Sequence, residues 1–219
     1  MTKRRVLIAV GAIVLVVGLA AGIALWAVDD PSPAVVDEQT LLLQESDFPS
    51  GYQVEFLDRD SAARQPADDL SPRECYAVLG DQFRRNQGSK REGLIATSND
   101  DNEPRYTQSV VTGGESVDDA MGAVRACPKL SQSTPQGRLS VTQFVETAAP
   151  DCGVDATYVR GTMSLEGSTS ESEPARSITA YIQSGSLTSQ LNRTGYGETD
   201  DEFCRLVTRA KAKLDERDD

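Results

Sequence analysis

The sequence predicts an α+β fold in which an antiparallel sheet of about six strands is flanked by three or four helices. Several short segments alternate apolar and polar residues, as strands with one buried face do. Other segments place apolar residues at helical spacing after a capping residue. The two kinds of segment do not alternate strictly along the 219 residues, which argues against a parallel sheet.

Residues 6–28 predict a transmembrane helix. This run contains no charged side chain, and about 20 apolar residues suffice to cross a bilayer. Residues 1–5, which include Lys3, Arg4 and Arg5, precede it and favour a cytoplasmic amino terminus. Trp26 lies near its far end, where indole rings prefer the membrane interface. We expect an uncleaved single-pass anchor in the cell membrane. The alternative is a cleaved signal peptide, and both interpretations place the carboxy-terminal part outside the cytoplasm.

Gly18 and Gly22 have the spacing that lets two membrane helices pack closely. A homodimer through this helix is one interpretation, and the general abundance of glycine in membrane helices is the other. Residues 29–36 contain two prolines and predict a short tether. Residues 37–219 then predict one extracytoplasmic domain, which is long enough to bury a core.

Four segments of this domain favour helices, because each has a capping residue followed by apolar residues at helical spacing. Their capping residues are Asp37, Ser71, Ser116 and Thr199. The first helix must end before Pro49, and Pro128 limits the third. Strand patterns cover residues 52–57, 92–98, 105–112, 139–147, 157–165 and 175–183, with 186–191 either extending the last strand or forming another.

The four cysteines, Cys75, Cys127, Cys152 and Cys204, all follow the predicted span. An even number of cysteines in an exported domain predicts two disulfides. Two pairings suit the predicted helices. We favour Cys75–Cys127 with Cys152–Cys204, and the alternative is Cys75–Cys204 with Cys127–Cys152.

The charge excludes several classes of function. From Asp29 onward there are 19 basic and 34 acidic side chains, so we expect no binding to nucleic acid, which requires neutralised phosphates. The chain contains no histidine, which removes histidine-based catalytic triads and histidine metal sites.

Motifs for catalysis and for cofactors are also missing from the sequence. It has no G-x-S-x-G nucleophile elbow, no phosphate-binding P-loop and no dinucleotide-binding glycine motif. Residues 99–104 carry oxygen-bearing side chains, but their spacing does not match a calcium loop, and a hairpin turn explains them better. We therefore expect no catalytic residues, no metal and no cofactor.

Short motifs resemble those of exported actinobacterial proteins related to the PknH-like extracellular sensor domain. Residues 47–52, reading DFPSGY, are similar to their "LP-x-G-[YF]" opening. Residues 71–75 with Leu79 resemble their "P-x-x-C-x-x-L" helix, and 120–127 their later helix ending in cysteine. The resemblance implies an antiparallel sheet flanked by helices, two disulfides, a cell-envelope location and no catalysis.

These observations favour a membrane-anchored extracytoplasmic module that binds a ligand or acts as a sensor. The alternative is a structural or accessory subunit that docks on another envelope protein. A carboxylate-dependent hydrolase is the least favoured reading, because it requires only two acidic side chains and any acidic chain offers them. The identities of the ligand, its binding residues and any partner do not follow from the sequence.

Overall fold

The computed structural model describes residues 41–57, 69–100, 103–134, 137–146, 150–166, 174–195 and 200–218. Eight strands in this part of the chain form one antiparallel sheet in the order β1-β2-β3-β8-β7-β6-β5-β4. Their bounds are β1 Tyr52–Leu57, β2 Lys90–Ser98, β3 Arg105–Thr112, β4 Lys129–Thr134, β5 Gly137–Val145, β6 Thr157–Glu166, β7 Ala175–Ser184 and β8 Leu187–Gly195. Three helices accompany them: α1 Arg73–Arg85, α2 Val117–Ala126 and α3 Asp200–Asp218.

The sheet consists of two meanders joined in its middle. Strands β1 to β3 form one meander, β4 to β8 form the other, and β3 pairs with β8 along its whole length. The central pair therefore brings together residues about 80 positions apart, such as Gln108 and Leu191. Because successive side chains of a strand point to opposite faces, the two faces of this pair carry separate sets of residues.

The first face of the sheet, which carries Gln108 and Leu191, holds the larger core. Helix α3 packs across β7 and β8 on this face. Buried apolar side chains come from α3, β2, β3, β7, β8 and the segment before β1, and they include Leu94, Tyr106, Val110, Ile178, Ile182, Leu191, Phe203, Leu206, Val207 and Leu214. Burial of this apolar surface is the main source of the domain's stability.

The second face is covered by α1 and α2 over the half that contains β4 to β7. Helix α2 contacts β5 and β7, where Met121 and Val124 pack against Val159 and Tyr181. Helix α1 contributes Cys75 and Leu79 to a further cluster with residues of β4, β5 and β6. Helices α1 and α2 therefore do not pack on the part of this face that β2, β3 and β8 form.

The structure contains two disulfides, Cys75–Cys127 and Cys152–Cys204, which is the pairing favoured from the sequence. The first joins α1 to the residue that ends α2. The second joins the segment before β6 to α3. Each bond therefore ties a helix to another part of the fold at one face of the sheet.

The segment before β1 is held between the sheet and α3. Leu41, Leu42 and Leu43 are all buried, and the Leu43 N–H donates to Gln108 Oε1 at 2.8 Å. The predicted helix does not continue through these residues, and a short 3-10 turn at Glu45–Asp47 follows instead. Three consecutive side chains cannot share one face of a helix, so their common burial favours a non-helical path.

Asp47 fixes this segment to α3. Its carboxylate accepts from the Gln44 N–H at 2.8 Å and lies 3.1 Å from Arg209 Nε and 3.6 Å from Lys213 Nζ. Arg205 donates to the backbone oxygen of Asp47 at 2.5 Å. Burial raises the pKa of Asp47, but the Gln44 hydrogen bond and the two cations outweigh it and hold the pKa below its ordinary value.

Two predicted helix starts have different outcomes. Ser116 caps α2 as predicted, because its hydroxyl accepts from the Asp119 N–H and the Asp119 side chain accepts in return. Ser71 does not cap α1. It forms two backbone hydrogen bonds with Ser131 of β4, each 2.8 Å long, and so covers the outer edge of that strand.

The described sheet has eight strands rather than about six. The additional strands are β4, which was not predicted, and β8, which is a separate strand rather than an extension of β7. No helix of the described ranges is long and apolar enough to span a membrane. The predicted span 6–28 with Gly18, Gly22 and Trp26, the tether 29–36 and the caps Asp37 and Thr199 lie outside the described residues.

Candidate functional site

The second face of the sheet changes character between its two halves. Beneath α1 and α2 it is apolar, but across β3, β8 and β7 it carries neutral polar side chains together with Arg105, Val111 and Tyr181. We call eight of the neutral polar residues the polar face, and they are Thr107, Ser109, Ser177, Thr179, Thr188, Gln190, Asn192 and Thr194. All of them except Thr179 are buried, although the polar outer face of a sheet is normally exposed to water.

Strand register places these residues in rows across the sheet. Thr107, Asn192 and Thr179 occupy one row, and Ser109, Gln190 and Tyr181 occupy the next. Neighbouring positions in a row lie about 5 Å apart. The residues come from three strands of both meanders, so pairing of β3 with β8 creates the polar face.

Part of the polar face is a closed hydrogen-bond network. Asn192 Nδ2 donates to Thr179 Oγ1 at 2.8 Å, and Thr194 Oγ1 donates to Asn192 Oδ1 at 2.8 Å. Both functional groups of the Asn192 amide therefore have a partner. This network fixes the orientation of Asn192 and makes that end of the polar face rigid.

The adjoining row contains buried polar atoms that are not hydrogen-bonded. Ser109 Oγ and Gln190 Oε1 are buried, and neither has a hydrogen-bond partner among the described residues. The two residues lie directly opposite each other on β3 and β8. Folded proteins pair the large majority of buried polar groups, so a pair of adjacent unpartnered atoms calls for an explanation.

Gln82 of α1 carries another buried polar atom without a partner among the described residues. Its Nε2 donates to Glu115 Oε1, whereas its own Oε1 is buried and has no partner in the described part of the chain. Its residue is only 2% exposed. Gln82 thus presents an acceptor that resembles that of Gln190.

Glu115 lies in the connection between β3 and α2 and bonds to side chains of α1. Its side chain is 6% exposed and lies 3.5 Å from Arg85 Nη2, and its N–H donates to Asn86 Oδ1 at 3.1 Å. Burial raises the pKa of Glu115, the hydrogen bonds from Gln82 and Arg85 oppose this rise, and the charge of Asp119 adds to it. Glu115 also acts electrostatically on Arg91 and Tyr181, and Tyr181 is the β7 member of the Ser109–Gln190 row.

Gly114 allows the backbone to approach at this point. A Cβ atom there would lie 2.5 Å from Val111 Cγ1 and 2.7 Å from Asn86 Oδ1. A side chain at this position would require Val111 or Asn86 to shift, and Asn86 Oδ1 is the acceptor for the Glu115 N–H.

The polar face offers hydrogen bonding by neutral groups, and the charged residues Arg91 and Arg105 lie on the same face of the sheet. Its buried atoms without a partner among the described residues are the Ser109 hydroxyl oxygen and the Gln190 amide oxygen, and the latter accepts but does not donate. Within the described ranges, no group of three or more cysteine, aspartate or glutamate residues could hold a metal ion. The arrangement suits recognition of a molecule that donates hydrogen bonds.

None of these residues was predicted from the sequence. The polar residues of β8 resemble the outward positions of an ordinary solvent-facing strand, and only the pairing of β3 with β8 places Gln190 beside Ser109. Of the predicted site residues, the four cysteines form disulfides away from the polar face.

A comparison with solved structures identifies a protein of similar fold. No family model and no curated protein matches the sequence. The crystal structure of the extracellular domain of PknH from Mycobacterium tuberculosis matches with a TM-score of 0.51 and 17% identity, over 84% of this chain and 96% of that one. An uncharacterised protein from Mycobacterium smegmatis also matches, with a TM-score of 0.42 and 11% identity, over 82% of this chain and 97% of that one. The chain therefore shares the fold of the PknH extracellular domain, and the fold relationship expected from the sequence is confirmed.

Proposed function

We propose that this chain is a membrane-anchored extracytoplasmic module of the cell envelope that binds a ligand on its polar face and acts as a sensor-like domain. The observation that carries the proposal is the buried row of Ser109 and Gln190 with unpartnered polar atoms. An unsatisfied buried polar group costs about 1–3 kcal/mol. Retaining adjacent ones is explained if a bound molecule satisfies them.

The expected location supports the same function. The predicted span 6–28 would hold the domain at the outer side of the membrane, and the two disulfides are typical of an oxidising compartment. The structural neighbour from Mycobacterium tuberculosis is an extracellular domain. Catalysis is not part of the proposal, because the polar face offers no nucleophile paired with a base.

The polar face is connected through the sheet to the segment that leads toward the predicted anchor. Ser109 and Gln190 alternate along β3 and β8 with Gln108 and Ser189, which point to the first face. Gln108 Nε2 donates to Ser189 Oγ at 3.1 Å, and Gln108 Oε1 accepts from the Leu43 N–H. In the proposed sensor, a ligand that shifts this strand pair would also shift the segment at Leu43.

The alternative, a subunit that docks through a flat apolar surface, receives less support. Among the described residues the exposed large hydrophobic side chain is Phe144, at 51%. One exposed ring is far smaller than the apolar patches that mark permanent interfaces. We therefore prefer ligand binding to docking as the primary function.

Native mass spectrometry of the full chain tests the ligand proposal. The chain would be purified from its membrane in a mild detergent, without a denaturing step. We expect a small-molecule adduct on the wild type and its loss in Gln190→Leu, with retention in the control Thr142→Val on the opposite face. A wild type without an adduct, or an adduct that survives Gln190→Leu, would refute the proposal.

Protease treatment of intact protoplasts tests the proposed topology. We expect the protease to digest the domain, because the predicted anchor leaves it outside. Full protection of the domain would contradict an extracytoplasmic location. Release of a fragment that begins near Ala27 or Asp29 would replace the anchor with a cleaved signal peptide.

A further inference from the structure

The sheet ends at β1, and the outer edge of that strand is unpaired in the described part of the chain. Strand β1 pairs with β2 on one side and stands first in the strand order. The other end of the sheet differs, because Ser71 pairs there with Ser131 of β4. An unpaired edge presents backbone N–H and C=O groups to which another strand can bond.

The register of β1 shows which of its backbone groups face outward. The Asn99 N–H donates to the Gly51 oxygen at 3.4 Å, one position beyond the first pair of the β1–β2 ladder. In an antiparallel ladder, every second residue directs both of its backbone groups to the same neighbouring strand. Gly51 and every second residue after it therefore bond to β2, and the residues between them face the outer edge.

Val54 and Phe56 are the residues in the middle of β1 whose N–H and C=O groups face outward. No hydrogen bond within the described ranges uses these groups. Both side chains are half-buried on the first face, where they pack against the larger core. Gln53 and Glu55 alternate with them and are exposed on the second face. The edge therefore combines unpaired backbone groups with a partly exposed apolar strip.

A second copy of the chain fits this edge when the two β1 strands pair antiparallel about a two-fold axis at Val54. The outward N–H and C=O groups of Val54 then meet those of Val54 in the second copy. Gln53 lies opposite Glu55 of the second copy, so its amide can donate to that carboxylate. Tyr52 lies opposite Phe56, and cross-strand aromatic pairs stabilise a sheet. Each residue of the strand therefore meets a complementary one.

Other symmetric registers match the two strands less well. An axis at Glu55 would set the two Glu55 carboxylates directly opposite each other, and like charges in that position are destabilising. An axis at Phe56 would set Glu55 opposite Leu57, which offers the carboxylate no hydrogen-bond donor. The charge of Glu55 therefore selects the axis at Val54.

The pairing also keeps both copies in the same orientation toward a membrane. A two-fold axis that relates two antiparallel strands is perpendicular to the sheet, so both first faces lie on one side of the joined sheet. The segment 41–48 of each copy lies on that face. With the anchor proposed above, both copies can be held in one membrane, which raises their effective concentration. This step rests on the proposed anchor, whereas the register of β1 does not.

Charge and size make the interface a weak one that a shared membrane would support. Strand β1 has six residues. From residue 29 onward each copy has 19 basic against 34 acidic residues, so two copies repel each other. Salt screens this repulsion, because the Debye length shortens to about 8 Å at physiological ionic strength. Pairing of the two copies should therefore strengthen as salt rises.

We propose that two copies of this chain pair through their β1 edges, with Val54 on the two-fold axis, and so join two eight-stranded sheets into one. The interface lies at an edge of the sheet and uses none of the residues of the polar face. It is therefore independent of the ligand-binding function described above.

Oxidative cross-linking of full-chain variants in isolated membranes tests the register. Copper phenanthroline takes two electrons from two thiols, which release two protons and form one disulfide. Val54→Cys should cross-link to itself, because residues in such a pair have Cα atoms about 5.5 Å apart, within the range of a disulfide. The control Leu57→Cys should not cross-link, because its two copies lie six residues apart along the paired strands, or about 20 Å.

Two further variants in the Val54→Cys background test the contact between Gln53 and Glu55. Gln53→Glu should lower the cross-linking yield, because it sets carboxylates opposite each other, and Gln53→Lys should raise it. Position 53 is exposed, so neither change should affect folding, and thermal unfolding of each variant checks this. Peptide mapping should show that the cross-link joins position 54 of one copy to position 54 of the other.

Four results would overturn the proposal. One is that Val54→Cys does not cross-link. Another is that Leu57→Cys cross-links as strongly, as random collision or a dimer through the predicted membrane helix alone would allow. A third is an equal yield from Gln53→Glu and Gln53→Lys. The last is a cross-link from position 54 to a different protein, which would assign the edge to a strand of another chain.

Discussion

Ser109 and Gln190 face each other across the β3–β8 pair, and the buried Ser109 Oγ and Gln190 Oε1 have no hydrogen-bond partner in the described part of the chain. One row away, Asn192 bonds to both Thr179 and Thr194. The same strands therefore carry a satisfied polar network and an unsatisfied one. This contrast allows a direct comparison of their contributions to stability.

Ser109→Ala should leave the free energy of unfolding unchanged or raise it by up to about 1 kcal/mol, because it removes a buried hydroxyl that has no partner. The matched variant Thr194→Val should lower it by about 0.5–1.5 kcal/mol, because it breaks a hydrogen bond to Asn192. Urea denaturation of both variants measures the difference. A larger loss for Ser109→Ala than for Thr194→Val would show that Ser109 has a structural partner.

Asp47→Asn should destabilise the domain at pH 7 by about 1–3 kcal/mol, the range for hydrogen bonds that involve a charged group. The pKa of Asp47 is lowered in the folded state. Its contribution is therefore present above the ordinary value of about 3.9 and is lost as the pH falls through the lowered pKa.

Unfolding measured from pH 7 down to pH 3 should show the wild type and Asp47→Asn converging as the pH falls. Asp215→Asn is the control, because its carboxylate is half exposed although it bonds to Lys211 and Ser184. We expect the control to have the smaller effect at pH 7. A constant difference between wild type and Asp47→Asn across this range would contradict the role given to the Asp47 charge.

Glu115→Gln should change stability relative to the wild type with the opposite pH dependence to Asp47→Asn. The pKa of Glu115 is raised in the folded state, so its contribution to stability is greatest at low pH and declines as the pH rises through that pKa. Glutamine does not titrate and can still accept from Gln82. The variant should therefore gain stability relative to the wild type as the pH rises from 4 to 7. This pH range begins near the ordinary glutamate pKa of about 4.3. A relative loss over the same range in thermal unfolding would show that the charge of Glu115 stabilises the fold.

Removing either disulfide should cost about 2–5 kcal/mol, the usual range for a native bond in a small exported domain. The variants are Cys75→Ser/Cys127→Ser and Cys152→Ser/Cys204→Ser. Peptide mapping without reduction should find Cys75 linked to Cys127 and Cys152 linked to Cys204. Free thiols at all four positions, or a Cys75–Cys204 link, would contradict the structure.

The features that the sequence predicted well depend on local contacts. The cap at Ser116 and the strand pattern of 105–112 involve neighbours in the chain, and the structure contains both α2 and β3 as predicted. Strand β4 was missed because it is short and places a polar residue, Gln132, at a buried position. Burial of a polar residue depends on the neighbouring strand, so a search for alternating polar and apolar residues does not detect it.

The polar face could not be predicted for a related reason. Gln190 and Ser109 are 81 residues apart, and each occupies a position where polarity ordinarily indicates exposure to solvent. The helix predicted at Leu41 to Leu43 was wrong for a similar reason. Their apolar run suggested a helix, but the three residues pack in a non-helical segment beside α3. In both cases a contact between distant parts of the chain overrides the local pattern.

A high-resolution crystal structure of the full chain, purified without denaturation from its own membrane, tests the ligand-binding account most directly. The account predicts electron density for a bound molecule larger than water within hydrogen-bond distance of Ser109 Oγ and Gln190 Oε1. Density for isolated ordered waters alone at these two atoms would contradict it, because water would then explain their burial without a ligand.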